Sequence, residues 1–350
     1  MGSMNHSPKT RIMDGLKNNR GLYLIAAGVF FLIFQHAMLY NSRQVANADV
    51  SEHVKPRIAR AEYGLVHAPT QCHFVKRADM KGKSFFADLE PAYAPEFTLL
   101  SAWLKPEYPS AVEAPKEIPE IYKDGFTMGG KVKIGKWYFN QAYLGNVQAL
   151  PQNVWTKADV EDYMVKTLTE TKYDGDGLNI NTALAKYNQY VKGKRGVVIG
   201  SEHPWVEAMA LRAGSGPILT VEFGEIISEH PMISTMIPKE FTESFLNGKI
   251  EPFDYGISFS SLEHDGLGRY GDILNPIGDL QSLAKALSYI KPGGFFFLGL
   301  MNGDDEIVFN AHRIYGKLRM PKIMAGWHFV DVILGGLQHT VVMQNRNGCI

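Results

Sequence analysis

From Lys194 onward the chain alternates short, mostly apolar runs with longer stretches that can be helical. The runs are residues 196–199, 218–221, 255–259 and 295–300, and each is bounded by glycine, proline or polar residues. Strands that alternate with helices predict a parallel sheet. Residues 339–344 follow Gly335-Gly336 and predict an antiparallel last strand at the edge region of the sheet. Upstream, Thr156 with Asp159 three residues on marks a helix start, and Val160, Tyr163, Met164, Thr167 and Leu168 recur at helical spacing. A second helix is expected over residues 180–191. Between residues 42 and 150, Pro91, Pro95, Pro106, Pro109, Pro115 and Pro119 break the chain into short pieces. Phe85, Phe86, Trp103, Tyr108 and Tyr122 in this region are expected to pack it onto the main domain.

Residues 21–40, GLYLIAAGVFFLIFQHAMLY, contain no Asp, Glu, Lys or Arg. At helical rise they span roughly the 30 Å of a hydrocarbon core. Lys9, Arg11, Lys17 and Arg20 precede them against Asp14 alone, which predicts a cytoplasmic N-terminus and a single-pass type II membrane protein. A signal peptide cleaved near Ala46-Asn47-Ala48 is the alternative, although its apolar core usually has only ~7–15 residues. The expected organisation is a cytoplasmic tail (1–20), an anchor (21–40), a stem and loop-rich accessory region (41–150) and an α/β domain (151–350).

Lys plus Arg number 36 and Asp plus Glu 36, so the balanced charge gives no footprint for nucleic acid. Only Cys72 and Cys349 are present, which excludes a cysteine zinc cluster and leaves room for a single bridge in an oxidising compartment.

Open α/β sheets bind ligands beyond the carboxyl ends of their strands. Gly200-Ser201-Glu202-His203-Pro204-Trp205-Val206 follows the first run, and Glu222 ends the second. An acid at that spacing suits ribose hydroxyls. Ser260-Ser261-Leu262-Glu263-His264-Asp265 follows the 255–259 run, and Lys291-Pro292-Gly293-Gly294 reads as a tight turn into the next strand.

Together these segments resemble the class I S-adenosylmethionine-dependent methyltransferases, over about residues 196–344. With the longer stretch from Ser260 to Asp272 and Phe309-Asn310-Ala311-His312-Arg313, the chain is similar to a nematode-expanded methyltransferase-like family, number 268, of formerly unknown function. The resemblance implies a Rossmann-like, mostly parallel sheet with an antiparallel C-terminal strand. It also implies S-adenosylmethionine held by Gly200, Ser201, Glu202, Glu222 and Ser260, and O-methylation of a sugar, fucose, on a glycan or glycoprotein acceptor in the Golgi lumen. One departure stands out: the usual Gly-x-Gly-x-Gly loop is reduced to Gly200.

Methylating a hydroxyl needs a group that takes its proton. His264 is the first candidate, with Glu263 or Asp265 to orient or replace it; His312 is the second, and Arg313 is a candidate acceptor contact. His264, Asp265, Asp272 and His312 match no metal-ligand spacing, so no metal is assigned. The competing readings are a catalytically silent glycan- or protein-binding module, and a nicotinamide-dependent oxidoreductase, against which the missing three-glycine fingerprint argues.

Overall fold

Phe295, Phe296, Phe297 and Leu298 are all buried, which a strand achieves only when both faces of its sheet are covered. The computed structural model that shows this describes residues 70–81, 83–89, 91, 114–136, 153–169 and 175–350. The predicted anchor at 21–40 and the aromatics Trp103 and Tyr108 lie outside the described residues. Among the described residues no helix is long and apolar enough to cross a membrane.

In chain order the strands are β1 (Lys133–Ile134), β2 (Val154–Trp155), β3 (Gly196–Ile199), β4 (Ile218–Val221), β5 (Ile227–Ser228), β6 (Ile233–Met236), β7 (Phe253–Phe259), β8 (Ile290–Met301), β9 (Glu306–Val308), β10 (His312–Ile314), β11 (Trp327–Ile333) and β12 (Gln338–Asn345). The helices are α1 (Ser84–Ala87), α2 (Glu120–Phe126), α3 (Lys157–Lys166), α4 (Leu178–Lys186), α5 (Trp205–Arg212), α6 (Pro238–Leu246), α7 (Gly278–Tyr289) and α8 (Met320–Ile323). Seven strands form one sheet in the order β11-β12-β8-β7-β3-β4-β6. All neighbours are parallel except β12, which runs antiparallel to both β8 and β11. That order, with one reversed strand inserted beside the fifth, is the sheet of a class I methyltransferase-like α/β fold.

Two apolar layers sandwich the sheet. On one face Val197, Leu219, Phe296 and Leu298 meet Phe241 and Phe245 of α6 and Leu283 and Leu287 of α7. On the other, Val198, Ile257, Phe295 and Phe297 meet Ile180 and Leu184 of α4 and Val206 and Met209 of α5. Each large side chain so buried contributes roughly 1.5–3 kcal/mol. The alternation along β8 therefore anchors both layers at once.

Helix α3 starts at Thr156, whose hydroxyl accepts from the Asp159 amide (3.1 Å) while Asp159 accepts from the Thr156 amide (3.0 Å). Such a reciprocal cap stabilises a helix by about 1 kcal/mol. The expected helix over 180–191 divides into α4 and a 3-10 turn at Asn188–Tyr190.

Several features differ from expectation. Residues 233–236 and 327–333 are strands that the pattern did not announce: β6 is short and partly exposed at one sheet edge, and β11 carries polar His328 and Asp331 within its apolar run. Lys291-Pro292-Gly293-Gly294 interrupts β8 after Ile290, with Gly293 at φ +73°, and so lies inside the strand's span and not before it. Asp254 alone faces these residues between the pairs Phe253–Ile290 and Tyr255–Phe295. As expected, the accessory region contributes to the core: Phe86 and Leu89 are buried in the main cluster with Phe85 against it, and Tyr122 packs with Phe126.

Candidate active site

The carboxyl ends of β3, β4 and β7 meet at one place. Gly200, just after β3, has φ +75°, and a Cβ there would lie 1.9 Å from Ser261 Oγ. Glycine is required at this position by the turn after β7 as well as by the backbone conformation. The Ser201 amide donates to Glu222 Oε2 (2.6 Å), and the Phe223 amide donates to Glu222 Oε1 (2.7 Å). A carboxylate offers about four acceptor sites, so acceptor capacity remains for a diol such as a ribose. Burial pushes the Glu222 carboxyl above the usual range, the Ser201, Phe223 and Gly224 amides pull it back, and the neighbouring charge of Glu202 raises it further.

The bulky residues that replace the missing glycines are packed. Trp205 is buried edge-on against Phe259 (5.3 Å between ring centroids), and the His203 ring lies 6.3 Å from Tyr163 of α3. The leading helix therefore braces a loop that glycines would otherwise have left supple.

After β7, Ser260 adopts φ +51°, and its hydroxyl receives the Gln338 side-chain amide at 3.2 Å. Asp176, ahead of α4, accepts the amides of Gly336 (2.6 Å), Leu337 (2.8 Å) and Gln338 (2.8 Å). Burial works against the Asp176 charge, yet the three amides hold its carboxyl below the usual range. The β11–β12 turn is thus pinned beside the β7 turn. Neither Asp176 nor Gln338 was singled out from sequence, because their role depends on a hairpin more than 150 residues from Asp176.

The 3-10 turn Leu262–His264 carries the candidate base. His264 Nδ1 is hydrogen-bonded to the Ala311 carbonyl, an acceptor, so Nδ1 bears the proton and Nε2 keeps a free lone pair. Burial lowers the His264 pKa to about 3, the Ala311 bond opposes this, and Arg269, His312 and Arg313 add to the lowering. The ring is neutral at any physiological pH. The His312 ring stands 6.4 Å away; burial and Arg269 lower its pKa too.

Glu263 Oε1 lies 4.0 Å from His264 Nε2, and both Glu263 carboxyl oxygens are buried. Burial raises this carboxyl to about 7, moderated by Ser260 and the local backbone. Asp265 does not orient His264. Its carboxyl is engaged by Ser282 of α7, and burial raises it to about 7. Arg313 is likewise not an acceptor contact. It is 1% exposed and donates to the carbonyls of Glu263 (3.3 Å), Asp265 (2.6 Å) and Asn275 (3.1 Å), clamping the turn that bears His264. Asp272 accepts the amides of Gly266 (2.7 Å) and Gly268 (3.2 Å) and so shapes its own loop. Among the described residues no group of three or more His, Cys, Asp or Glu is placed to hold a metal ion.

Residues 193–347 match the family described as "Caenorhabditis protein of unknown function, DUF268". No curated protein matches the chain. Solved structures with a similar fold include a 1,6-didemethyltoxoflavin-N1-methyltransferase from Burkholderia thailandensis with bound 1,6-didemethyltoxoflavin and S-adenosylhomocysteine, 12% identical over 53% of this chain and 86% of that one, TM-score 0.34. The N-methyltransferase NodS from Bradyrhizobium japonicum in complex with S-adenosylhomocysteine is 12% identical over 53% and 98%, TM-score 0.35. An O-methyltransferase family protein from Burkholderia thailandensis is 10% identical over 55% and 70%, TM-score 0.36. The sheet order, and not these distant superpositions, identifies the fold.

Proposed function

Starting from residues 193–347 as a domain of that family, we propose that the protein is an S-adenosylmethionine-dependent O-methyltransferase acting on a sugar hydroxyl, fucose, of secretory-pathway glycans. The observation that carries the reading is the convergence of Glu222, Gly200 and the Ser260–His264 turn at the carboxyl edge of a sheet with the methyltransferase strand order. Glu222, with acceptor capacity left beyond its backbone amides, receives the ribose diol; Gly200, Ser201, Glu202 and Ser260 line the same edge. Bound S-adenosylmethionine supplies an electrophilic methyl group.

The remaining work falls to the protein. His264 is locked by Ala311 in the tautomer whose Nε2 can accept a proton from the attacking hydroxyl. Glu263 beside it has the higher proton affinity of the two and is the destination of that proton. Its ionised form is the competent one, so the transfer rate is expected to rise with pH through about 7. The limb should vanish in Glu263→Gln, and a profile unchanged by that substitution would remove Glu263 from the proton path.

A lumenal setting is supported by the disulfide between Cys72 and Cys349, since such bonds persist in oxidising compartments. Attachment through residues 21–40, as a single-pass Golgi protein, belongs to the same proposal. The alternative of a silent binding module rests on the loop that lacks its glycines.

The deciding experiment incubates the purified full-length chain with S-adenosylmethionine and fucosylated glycans and reads a methyl increment by mass spectrometry. Glu222→Ala is expected to weaken cofactor binding at least ~10-fold, the order expected for losing charged hydrogen bonds. His264→Ala should leave binding intact and lower the rate ~100-fold, within the usual range for a general base. No methyl gain together with no cofactor binding would leave the silent module as the better account.

A further inference from the structure

Behind the cofactor loop lies a carboxyl group that the reaction does not use. Glu207, on the first turns of α5, is completely buried between the loop and β4. Thr220 Oγ1 donates to Glu207 Oε1 at 2.7 Å, and Ser201 Oγ lies 3.0 Å from Glu207 Oε2. Ser201 Oγ is also 2.7 Å from the His203 carbonyl. A hydroxyl carries one proton, and a carbonyl can only accept. With the Ser201 proton on the nearer His203 oxygen, the contact between Ser201 and Glu207 is completed by a proton on Glu207; with it on Glu207 Oε2, the His203 carbonyl is left without that donor.

We propose that Glu207 is a positioning residue that carries its own proton at neutral pH and, by donating it to Ser201, fixes the loop from Gly200 to Pro204 in place of the missing glycines. The chain of contacts is continuous: Thr220 on β4 holds Glu207, Glu207 holds the Ser201 side chain, and the Ser201 amide holds Glu222. Glu222 at the end of β4 and Tyr255 on β7 are titratable groups that face Glu207. Burial raises the Glu207 carboxyl to about 7, against the pull of Thr220, its own amide and Ser201, while Glu222 raises it further. Ionisation would call the Ser201 proton away from His203 and release that carbonyl.

This inference deepens the cofactor site proposed above, so its primary readout is independent of the cofactor. Amide hydrogen exchange of Ser201, Glu202 and His203 is measured on the full-length chain at pH 6 and pH 8.5, as protection relative to the intrinsic rate. Wild type is expected to lose ~5–10-fold in protection at the higher pH, the worth of one hydrogen bond. Glu207→Gln, whose amide can donate to Ser201 and whose oxygen can accept from Thr220, should match wild type at pH 6 and keep its protection at pH 8.5. Glu207→Ala and Ser201→Ala should be unprotected at both. Wild-type protection that is independent of pH, or a Gln variant as unprotected as Ala, would overturn the proposal. S-adenosylhomocysteine affinity, measured in parallel, should follow the same order. Failure of every form to bind it, with the exchange pattern intact, would count against the proposed function and leave the role of Glu207 standing.

Discussion

Replacing Asp279 with Ala is expected to destabilise the protein by about 3–5 kcal/mol, the cost of leaving a buried charge without its partner. Asp279 is fully buried at the start of α7 and accepts Arg319 Nε (2.8 Å), Arg319 Nη2 (2.6 Å) and the Tyr315 hydroxyl (2.9 Å). Arg313 Nε stands 3.5 Å from the same carboxylate, and both guanidinium groups are almost wholly enclosed. Removing the carboxylate strands two buried cations. The urea midpoint of Asp279→Ala against wild type checks this, and a loss below about 1 kcal/mol would place the network among groups that contribute little net stability.

The same change should reach the chemistry, because Arg313 clamps the carbonyls on either side of His264. Rate is expected to fall more than cofactor affinity. Burial opposes the Asp279 charge, but Arg313 and Arg319 hold its carboxyl below the usual range. A depressed carboxylate stabilises the fold above its unfolded pKa and loses that contribution as pH falls through the folded value. Asp279→Asn should therefore flatten the acid limb of stability.

Loss of the disulfide is expected to rank second. Cys72 and Cys349 are 277 residues apart, with Cα atoms 5.3 Å from each other. Closing so long a loop removes entropy from the unfolded chain, which typically stabilises by about 2–4 kcal/mol. The bond also secures a strap over the outermost strand. Thr70 donates to the Gly348 carbonyl (2.8 Å), Ala78 to that of Val330 (2.8 Å), and Lys83 pairs with Asp331 (3.0 Å). Covering β11 in this way shields that edge of the sheet from extension by another chain. The double variant Cys72→Ser, Cys349→Ser should melt well below wild type, and reductant should bring wild type down to it. Equal melting temperatures would show the strap to be held by its hydrogen bonds alone.

Much of the fold was legible because periodicity in this chain is local. The apolar runs at 196–199 and 218–221 became β3 and β4 at those bounds, and the Thr156–Asp159 cap became the start of α3. Edge strands were less visible, since β6 has one covered face and β11 hides Asp331 inside an apolar run, where Lys83, Lys186 and Tyr187 engage it. The Lys-Pro-Gly-Gly stretch reads as a break in regular backbone, but that β8 pairs with β7 on both sides of it depends on what β7 sets opposite.

At the site, residue types could be read and their duties could not. Positions after strands pointed to Gly200, Glu222 and His264, because an open α/β sheet always presents its ligands at that edge. Assigning Arg313 to a clamp, Asp265 to Ser282 and Glu207 to the back of the loop required neighbours from distant segments. The sequence by itself determined which segments become strands and helices and which of their ends carry polar groups, because those follow from patterns within a few residues. Only the tertiary structure decided which carboxyls are shut away from water, which histidine nitrogen holds the proton and which arginine serves a scaffold, because desolvation and hydrogen-bond partnership are properties of what surrounds a side chain, not of the chain that carries it.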